Sequence, residues 1–302
     1  MTYFKKSGMP RTCLKTGAGE LSLNSPKVKK RVRTQCTNWW GVTLLSVPSK
    51  IFCKIIQMRL SDAINIILRK EQAGFRPWVG CLDHIFTLRN IIEQCIEWNT
   101  RIHINFIDLE KAFDSIHRDT LWRILLAYGC PEKIINIIKC FYNNFSCSVI
   151  HKKKLTDWFS VRSGVRQGCV LSPMLFLVAI DWIIRKAIGT KRRGIRWTLT
   201  SLLEDLDFAD DIALVSSTRD QLQRKTSDLL LAANQLGLNI SRKRTKTMQL
   251  TDTPLPVELE NENLEEVEEF TYLRSILSKS NATVNLRTSP TVSRRPNHNL
   301  YN

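Results

Sequence analysis

The chain has 302 residues, 45 of them Lys or Arg against 28 Asp or Glu, for a formal charge of +17. With 43% hydrophobic residues it can build a core, which excludes disordered and collagen-like chains. A basic surplus of this size favours polyanionic partners, either nucleic acid or an anionic membrane surface.

The membrane alternative weakens along the chain. The charge-free apolar stretch from Gly168 to Ile180 falls short of the ~18–20 residues of a spanning helix, and the Lys-bearing N-terminus has no apolar run typical of a secretory signal. Nine scattered cysteines without a C-x-x-C pair read as reduced, mostly buried thiols of an intracellular protein. The length allows one large domain or two small ones at roughly 100–200 residues each.

Residues 1–34 read as a weakly specified basic arm, and the surrounding segment to residue 37 lacks apolar periodicity while carrying Lys27, Lys29, Lys30, Arg31 and Arg33. Between Leu44 and Leu68 the residues Ile51, Ile55, Ile56, Ile64 and Ile67 predict a buried helix after Pro48. A second helix presents Ile85, Leu88, Ile91, Ile92 and Ile96 on one face. Ile102, Ile104 and Phe106 alternate with His103 and Asn105, the pattern of a half-buried strand ending at Asp108. Two helices follow, the first stopped by Gly129 and the second opened by Pro131. Residues 146–161 read as a hairpin with a basic turn, and Ser172–Pro173 start an apolar helix that Gly189 ends.

From Leu203 to Ser217, two apolar runs flank Asp210 and Asp211, which predicts a strand, a tight turn and a returning strand. An amphipathic helix with Leu222, Leu229, Leu230, Ala233 and Leu236 then runs to Gly237. Beyond it come the basic residues Arg242, Lys243, Arg244 and Lys246, an acidic connector over 258–269, an apolar strand from Phe270 to Leu277, and a tail over 280–302 expected to be disordered.

This order brings Asp108, at a strand end, near the carboxylates of a hairpin turn. Such a cluster repels itself unless a cation is bound. Mg²⁺ suits it, because that ion is commonly held by one or two protein carboxylates plus substrate phosphates. A pair of such ions about 3.5–4 Å apart can activate a hydroxyl and stabilise the leaving oxygen in phosphoryl transfer. Taken alone, Asp-Asp in a turn is more often a solvated turn. Asp114 reads as the cap of the next helix, and His84, His103 and His117, without ligand partners at useful spacing, read as structural.

The strings TNWWGVTLLSVPSKIF (37–52), EQAGFRPWVGCLDHIFTLRNIIEQ (71–94), FIDLEKAFDSI (106–116), GVRQGCVLSPMLF (164–176), LEDLDFADDIALVS (203–216), GLNISRKRTKTM (237–248) and EEFTYLRSILS (268–278) decide between these readings. In content and order they resemble the reverse transcriptase domain of non-LTR retrotransposons, over residues 35–279. The resemblance implies an α+β, right-hand polymerase with fingers (35–100), a palm (101–279) whose antiparallel sheet is backed by helices, and a largely absent thumb. It implies RNA-directed DNA polymerase activity with an RNA template, a DNA primer, dNTPs and two Mg²⁺ ions, Mn²⁺ being an alternative. No membrane partner is expected, and the implied location is an intracellular ribonucleoprotein.

By motif, the resemblance makes Asp108, Asp210 and Asp211 catalytic metal ligands, with Asp211 in a supporting role. Phe113 falls under the incoming sugar, where its bulk excludes a 2′-hydroxyl; by itself it reads as helix-start packing. Gln167 and Gly168 fall beside the template and incoming base, where glycine allows close backbone approach. Arg76 and the segment Arg242, Lys243, Arg244 and Lys246 fall near the nucleotide phosphates and nucleic acid, although a solvated charge run is the plainer reading of the latter.

The chain also departs from the family. Trp40 stands where the family places an arginine, Trp78, Val79 and Gly80 stand for a G-R-S and so lose another, Arg244 stands for a lysine linked to pyrophosphate departure, and Arg274 stands for a glycine of the last motif. Arginine is a poor proton donor, with a pKa above ~12. These changes support an alternative in which the chain is a catalytically inactive nucleic-acid-binding remnant. A metal-dependent nuclease would share the carboxylates but leave the contexts of Phe113 and Gln167 unexplained.

Overall fold

The computed structural model describes residues 20–26, 39–76, 79–151, 154–189, 191–198 and 200–280. Seven helices are present among them: α1 (Val47–Ile67), α2 (Cys81–Glu97), α3 (Ala112–Ser115), α4 (Arg118–Ala127), α5 (Glu132–Tyr142), α6 (Ser172–Ile188) and α7 (Arg219–Gln235).

Local chemistry sets their ends. Ser46 caps α1 by accepting from the Ser49 N–H at 3.4 Å, and Thr218 caps α7 through the Gln221 N–H at 3.3 Å. Gly129, at φ +75°, closes the turn after α4, and Pro131 precedes the first residue of α5. Helix α6 begins at Ser172 with Leu171 in the cap position, so Ser172 lies inside the helix and is buried rather than capping it. The stripe that α1 buries is Cys53, Ile56, Leu60 and Ile64; Ile51, Ile55 and Ile67 are exposed on its other side, so the helix is not buried all round.

The central sheet has five strands in the spatial order Asp205–Phe208, Asp211–Ser216, Ile102–Ile107, Lys246–Leu250 and Glu265–Glu266. The first four run antiparallel to their neighbours, and Glu265–Glu266 pairs in parallel. All six residues of Ile102–Ile107 are buried, so this strand is covered on both faces instead of one. Ile102, Ile104 and Phe106 pack with Leu88, Ile91 and Ile92 of α2. Toward α7, Asn105 Nδ2 donates to Thr226 Oγ1 at 2.7 Å, a polar contact that the alternation made look like a solvent face. Helix α6, hydrophobic nearly all round, sits inside the larger core with α1, α4, α5 and α7.

A second sheet sets Glu20–Pro26 between Trp39–Leu44, antiparallel to it, and Ser146–His151, parallel to it. Part of the expected basic arm is thus a paired strand, its register supplied by partners distant in sequence. Ser146–His151 also pairs with Lys154–Leu155 and Phe159–Ser160, as the predicted hairpin requires. The apolar run Phe270–Leu277 is a hairpin, Glu269–Tyr272 against Ser275–Ser278, rather than one strand. The acidic connector contains the small hairpin Glu258–Leu259 with Glu262–Asn263 and buries Val257, Leu259 and Leu264. The basic cluster from Lys27 to Arg33 and the tail from residue 281 lie outside the described residues.

Cys81, Cys95, Cys130 and Cys169 are free thiols, whereas Cys140 is disulfide-bonded and departs from the expectation of a wholly reduced set. Among the described residues no helix is long and apolar enough to cross a membrane.

Candidate active site

The hairpin pairs Phe208 with Asp211, which leaves Ala209 and Asp210 as a two-residue turn. Ala209 has φ +59°, the region that hairpin turns of this length require and that glycine usually fills. On the other edge of the returning strand, Ile212 pairs with Ile107. One residue beyond that pair, antiparallel register sets Asp211 across from Asp108. The carboxylates predicted from sequence therefore meet at one end of the central sheet.

The backbone of Asp108 is held from the loop after α7. Its N–H donates to Thr245 Oγ1 at 3.2 Å, and its C=O accepts from the Ser241 N–H at 2.8 Å. The same loop brings Arg244 Nη2 within 2.8 Å of Asp108 Oδ1. Asp210 and Asp211 open to solvent at the turn, yet surrounding protein displaces enough water to raise both acids above the ordinary range. Burial and the negative charges of Asp210 and Asp108 push Asp211 up to about 6. For Asp210 the burial effect is opposed by the Arg244 charge.

Among the described residues no group of three or more His, Cys, Asp or Glu side chains is gathered closely enough to hold a metal ion by itself. The donor set is oxygen-only, and its mutual repulsion at Asp211 is what a bound cation would relieve. It fits an ion that completes its shell with water and substrate phosphates.

Phe113, in the one-turn helix α3, stacks on Phe176 of α6 with centroids 4.3 Å apart and meets Phe75 edge-on at 6.5 Å. Its ring is thus fixed from beneath by the core. The segment that follows Gly164 is stitched to α3 by the Val165 N–H donating to the Phe113 C=O at 2.7 Å. A Cβ on Gly164 would stand 2.5 Å from the Asp114 carbonyl oxygen, so this approach needs glycine. Gln167 donates from Nε2 to Asp114 Oδ1 at 3.5 Å, and its C=O accepts from the Thr43 N–H at 2.7 Å; Gly168 follows at φ +98°. Asp114 lies within α3, while His117 occupies the N-cap position of α4, so Asp114 does not cap that helix.

Arg76 is engaged differently from what the resemblance implies. Its Nη1 donates to the carbonyls of Arg69 (2.7 Å) and Gln72 (2.9 Å), and its Nη2 donates to that of Asn65 (3.2 Å). It ties the end of α1 to the following loop instead of presenting its guanidinium to a phosphate. In the basic segment, Arg242 pairs with Glu262, Arg244 with Asp108, and Lys246 with Glu265, while Lys243 is exposed. Much of that positive charge is spent inside the protein.

Two arrangements escaped the sequence reading. Asp205 and Asp207, at 1% and 0% exposure, share Arg69, which bonds Asp205 Oδ2 at 2.5 Å and also pairs with Asp207. Asp181, buried in α6, accepts from the Arg69 N–H at 2.9 Å, from the Tyr128 hydroxyl at 2.6 Å and from Arg185 Nε at 2.6 Å. Period-2 spacing of Asp205 and Asp207 was the available signal, since it puts both on one face of the strand. The second is Gln72, whose side chain contacts the turn at Ala209. From the other side Tyr272 donates its hydroxyl to the Leu206 C=O at 3.2 Å, bracing the hairpin with the last motif.

An antiparallel sheet with an aspartate-bearing hairpin beside a strand-end aspartate, backed by helices, defines the palm of a right-hand polymerase. Residues 26–277 match the family described as reverse transcriptase (RNA-dependent DNA polymerase), and the chain belongs to that family. It is 28% identical over 247 residues to the transposon TX1 uncharacterized 149 kDa protein of Xenopus laevis, covering 79% of this chain and 18% of that protein. It is 28% identical over 216 residues to the retrovirus-related Pol polyprotein from the type-2 retrotransposable element R2DM of Drosophila melanogaster, covering 70% and 20% respectively. The chain thus spans about a fifth of the length of these curated relatives.

Among solved structures, apo telomerase from Candida tropicalis truncated from the C-terminal domain superposes with TM-score 0.59 at 15% identity, over 86% of this chain and 53% of that one. Telomerase from the same species in complex with a TWJ fragment of telomeric RNA gives 0.60 at 14% identity, over 87% and 44%. At these identities the likeness is one of fold. The expected fingers-and-palm architecture is therefore present, in a domain of the non-LTR retrotransposon kind.

Proposed function

We propose that this chain is an RNA-directed DNA polymerase domain that extends a DNA primer with dNTPs on an RNA template. The observation that carries the reading is the convergence of Asp108 with the Asp210–Asp211 turn at one end of the central sheet. Asp108 and Asp210 would hold the metal, with Asp211 in support. Two Mg²⁺ ions, or Mn²⁺ in their place, would activate the primer hydroxyl and neutralise charge on the departing pyrophosphate. Phe113, fixed by Phe176, would form the floor under the incoming sugar and exclude a 2′-hydroxyl. Gln167 and Gly168 would lie beside the template and incoming base. In this reading residues 35–100 act as fingers and 101–279 as palm, and Lys243, exposed beside the paired Arg244, is offered to nucleic acid.

Purified chain with primed RNA, dNTPs and Mg²⁺ should extend the primer, and Asp210→Ala should abolish extension while leaving RNA binding intact. Failure to extend under Mg²⁺ and Mn²⁺ across a range of salt would sink the reading.

A second reading, a nucleic-acid-binding remnant without catalysis, is favoured by two features. Arg244 is paired to the carboxylate that a metal would need, and Trp40 offers no cationic fork to a triphosphate. It predicts salt-sensitive binding that Asp210→Ala leaves unchanged and no primer extension even by Trp40→Arg.

A further inference from the structure

We propose that Gln72 is a positioning residue that sets the turn carrying Asp210, acting through the backbone N–H of Ala209. The inference rests on the reading of Asp210 as a metal ligand.

A two-residue turn leaves the N–H of its first residue without a partner on the opposite strand. At 4% exposure, Ala209 cannot use bulk water. Gln72 supplies the missing acceptor. Its Oε1, in a fully buried side chain, accepts from the Ala209 N–H at 3.0 Å and from the Gly74 N–H at 2.9 Å.

The approach is built by the backbone on both sides. The Ala73 N–H donates to the Asp207 C=O at 2.9 Å, and the Asp207 N–H donates to the Glu71 C=O at 3.2 Å, so residues 71–73 run beside the hairpin as a short parallel bridge. Gly74 completes the fit, because a Cβ there would stand 2.3 Å from the Ala209 nitrogen. Ala209 itself holds φ +59°, a conformation costly for an L-residue and kept only where neighbours hold it.

The unused half of the amide separates this role from ordinary packing. Gln72 Nε2 is buried with no hydrogen-bond partner among the described residues. A position serving the core alone would favour Leu or Met and avoid that penalty. What the glutamine gains is one acceptor atom, shared between the turn and the glycine that lets the turn come close. Movement of Ala209 would carry Asp210 away from Asp108, since the two residues are consecutive.

The test compares wild type with Gln72→Met, which keeps the volume and removes the acceptor, and Gln72→Glu, which keeps it. Amide hydrogen exchange at Ala209 and Mn²⁺ affinity by electron paramagnetic resonance are read on each, with Asp210→Asn alongside. In Gln72→Met, Ala209 exchange should rise and Mn²⁺ affinity fall by about tenfold each, the worth of one buried hydrogen bond. Exchange in the strand Ile102–Ile107 should stay slow, and Gln72→Glu, whose carboxyl oxygen still accepts from both N–H groups, should lie nearer wild type than Gln72→Met in Ala209 exchange.

Unchanged Ala209 exchange in Gln72→Met, or faster exchange with unchanged Mn²⁺ affinity, overturns the proposal. So does a wild-type Ala209 amide exchanging as fast as that of Asp210, a result needing no variant. If Asp210→Asn binds Mn²⁺ as well as wild type, the metal reading fails instead, and Ala209 exchange still judges the latch by itself.

Discussion

Arg244 sets a guanidinium nitrogen 2.8 Å from Oδ1 of Asp108, the carboxylate just past the end of the strand Ile102–Ile107. Both partners are partly open to solvent, so the pair is weak and exchangeable rather than a buried lock. A cation bound at Asp108 competes with this arginine for the same oxygen. Arg244→Ala should therefore raise Mn²⁺ affinity about two- to fivefold, the scale of an exposed ion pair. Paramagnetic titration checks this, and weaker binding in the variant would mean that the arginine assists the site instead of competing with it.

Arg69 serves Asp205 and Asp207, two buried carboxylates of one strand, and its Nε lies 3.3 Å from a third, Asp181 of α6, which Arg185 also pairs. Burial and the Asp205 charge push Asp207 well above the ordinary range, and Arg69 opposes them. Removing the arginine leaves two acids in the core with no countercharge from it. Arg69→Met should cost about 3–5 kcal/mol of stability in urea unfolding. A loss below about 1 kcal/mol would show that the acids accommodate the change by taking up protons.

His84 is buried on α2, and burial holds its imidazole below the ordinary 6.5. The folded chain keeps it neutral, while the unfolded chain takes up a proton as pH falls through 6.5. Its contribution to stability is therefore complete above that pH and lost below it. Relative to His84→Leu, wild type should lose stability from pH 7 to 5 at up to about 1.4 kcal/mol per pH unit. Asp207 and Asp211 carry raised values and run the opposite way, but they are common to both proteins and drop out of the difference. Denaturant midpoints over that range measure it, and a flat difference would mean that folded His84 protonates normally.

Leu273 and Arg274 turn the last hairpin at φ +49° and +68°. Two positive values in a two-residue turn favour glycine at the second position, which gives a physical reason for the glycine that the family places there. Arg274→Gly should stabilise the chain by about 0.5–1 kcal/mol, relief of strain offset by greater freedom in the unfolded chain. Thermal unfolding tests this. A lower melting temperature would show that the arginine makes compensating contacts.

The parts legible in the sequence were those with local signals. The strand ending at Asp108, the acidic hairpin, the breaks at Gly129 and Pro131 and the amphipathic α7 all follow from period or turn chemistry within a short window. What stayed hidden depended on distant partners. Glu20–Pro26 is a strand only because Trp39–Leu44 and Ser146–His151 flank it. Arg76 looked free for phosphate because the carbonyls it serves carry no sequence signature. Asp205 and Asp207 drew no reading from the sequence, and the arrival of Arg69 is what lets them sit in the core. Gly74 and Gly164 stood inside recognised motifs, but what each makes room for appears only in three dimensions.

The buried strand Ile102–Ile107 has a consequence for how the chain reaches its folded state. Both of its edges are closed by segments that come after α3 to α6, Asp211–Ser216 on one side and Lys246–Leu250 on the other. Such pairing has high contact order, so loop-closure entropy is lost before the ladder forms and folding is slow. On a ribosome adding roughly 5–20 residues per second, this strand waits seconds for either neighbour with its apolar face and backbone groups unpaired. The end of the sheet that gathers the aspartates is thus completed only once Lys246–Leu250 has been made, and the interval before it closes leaves the waiting strand open to aggregation.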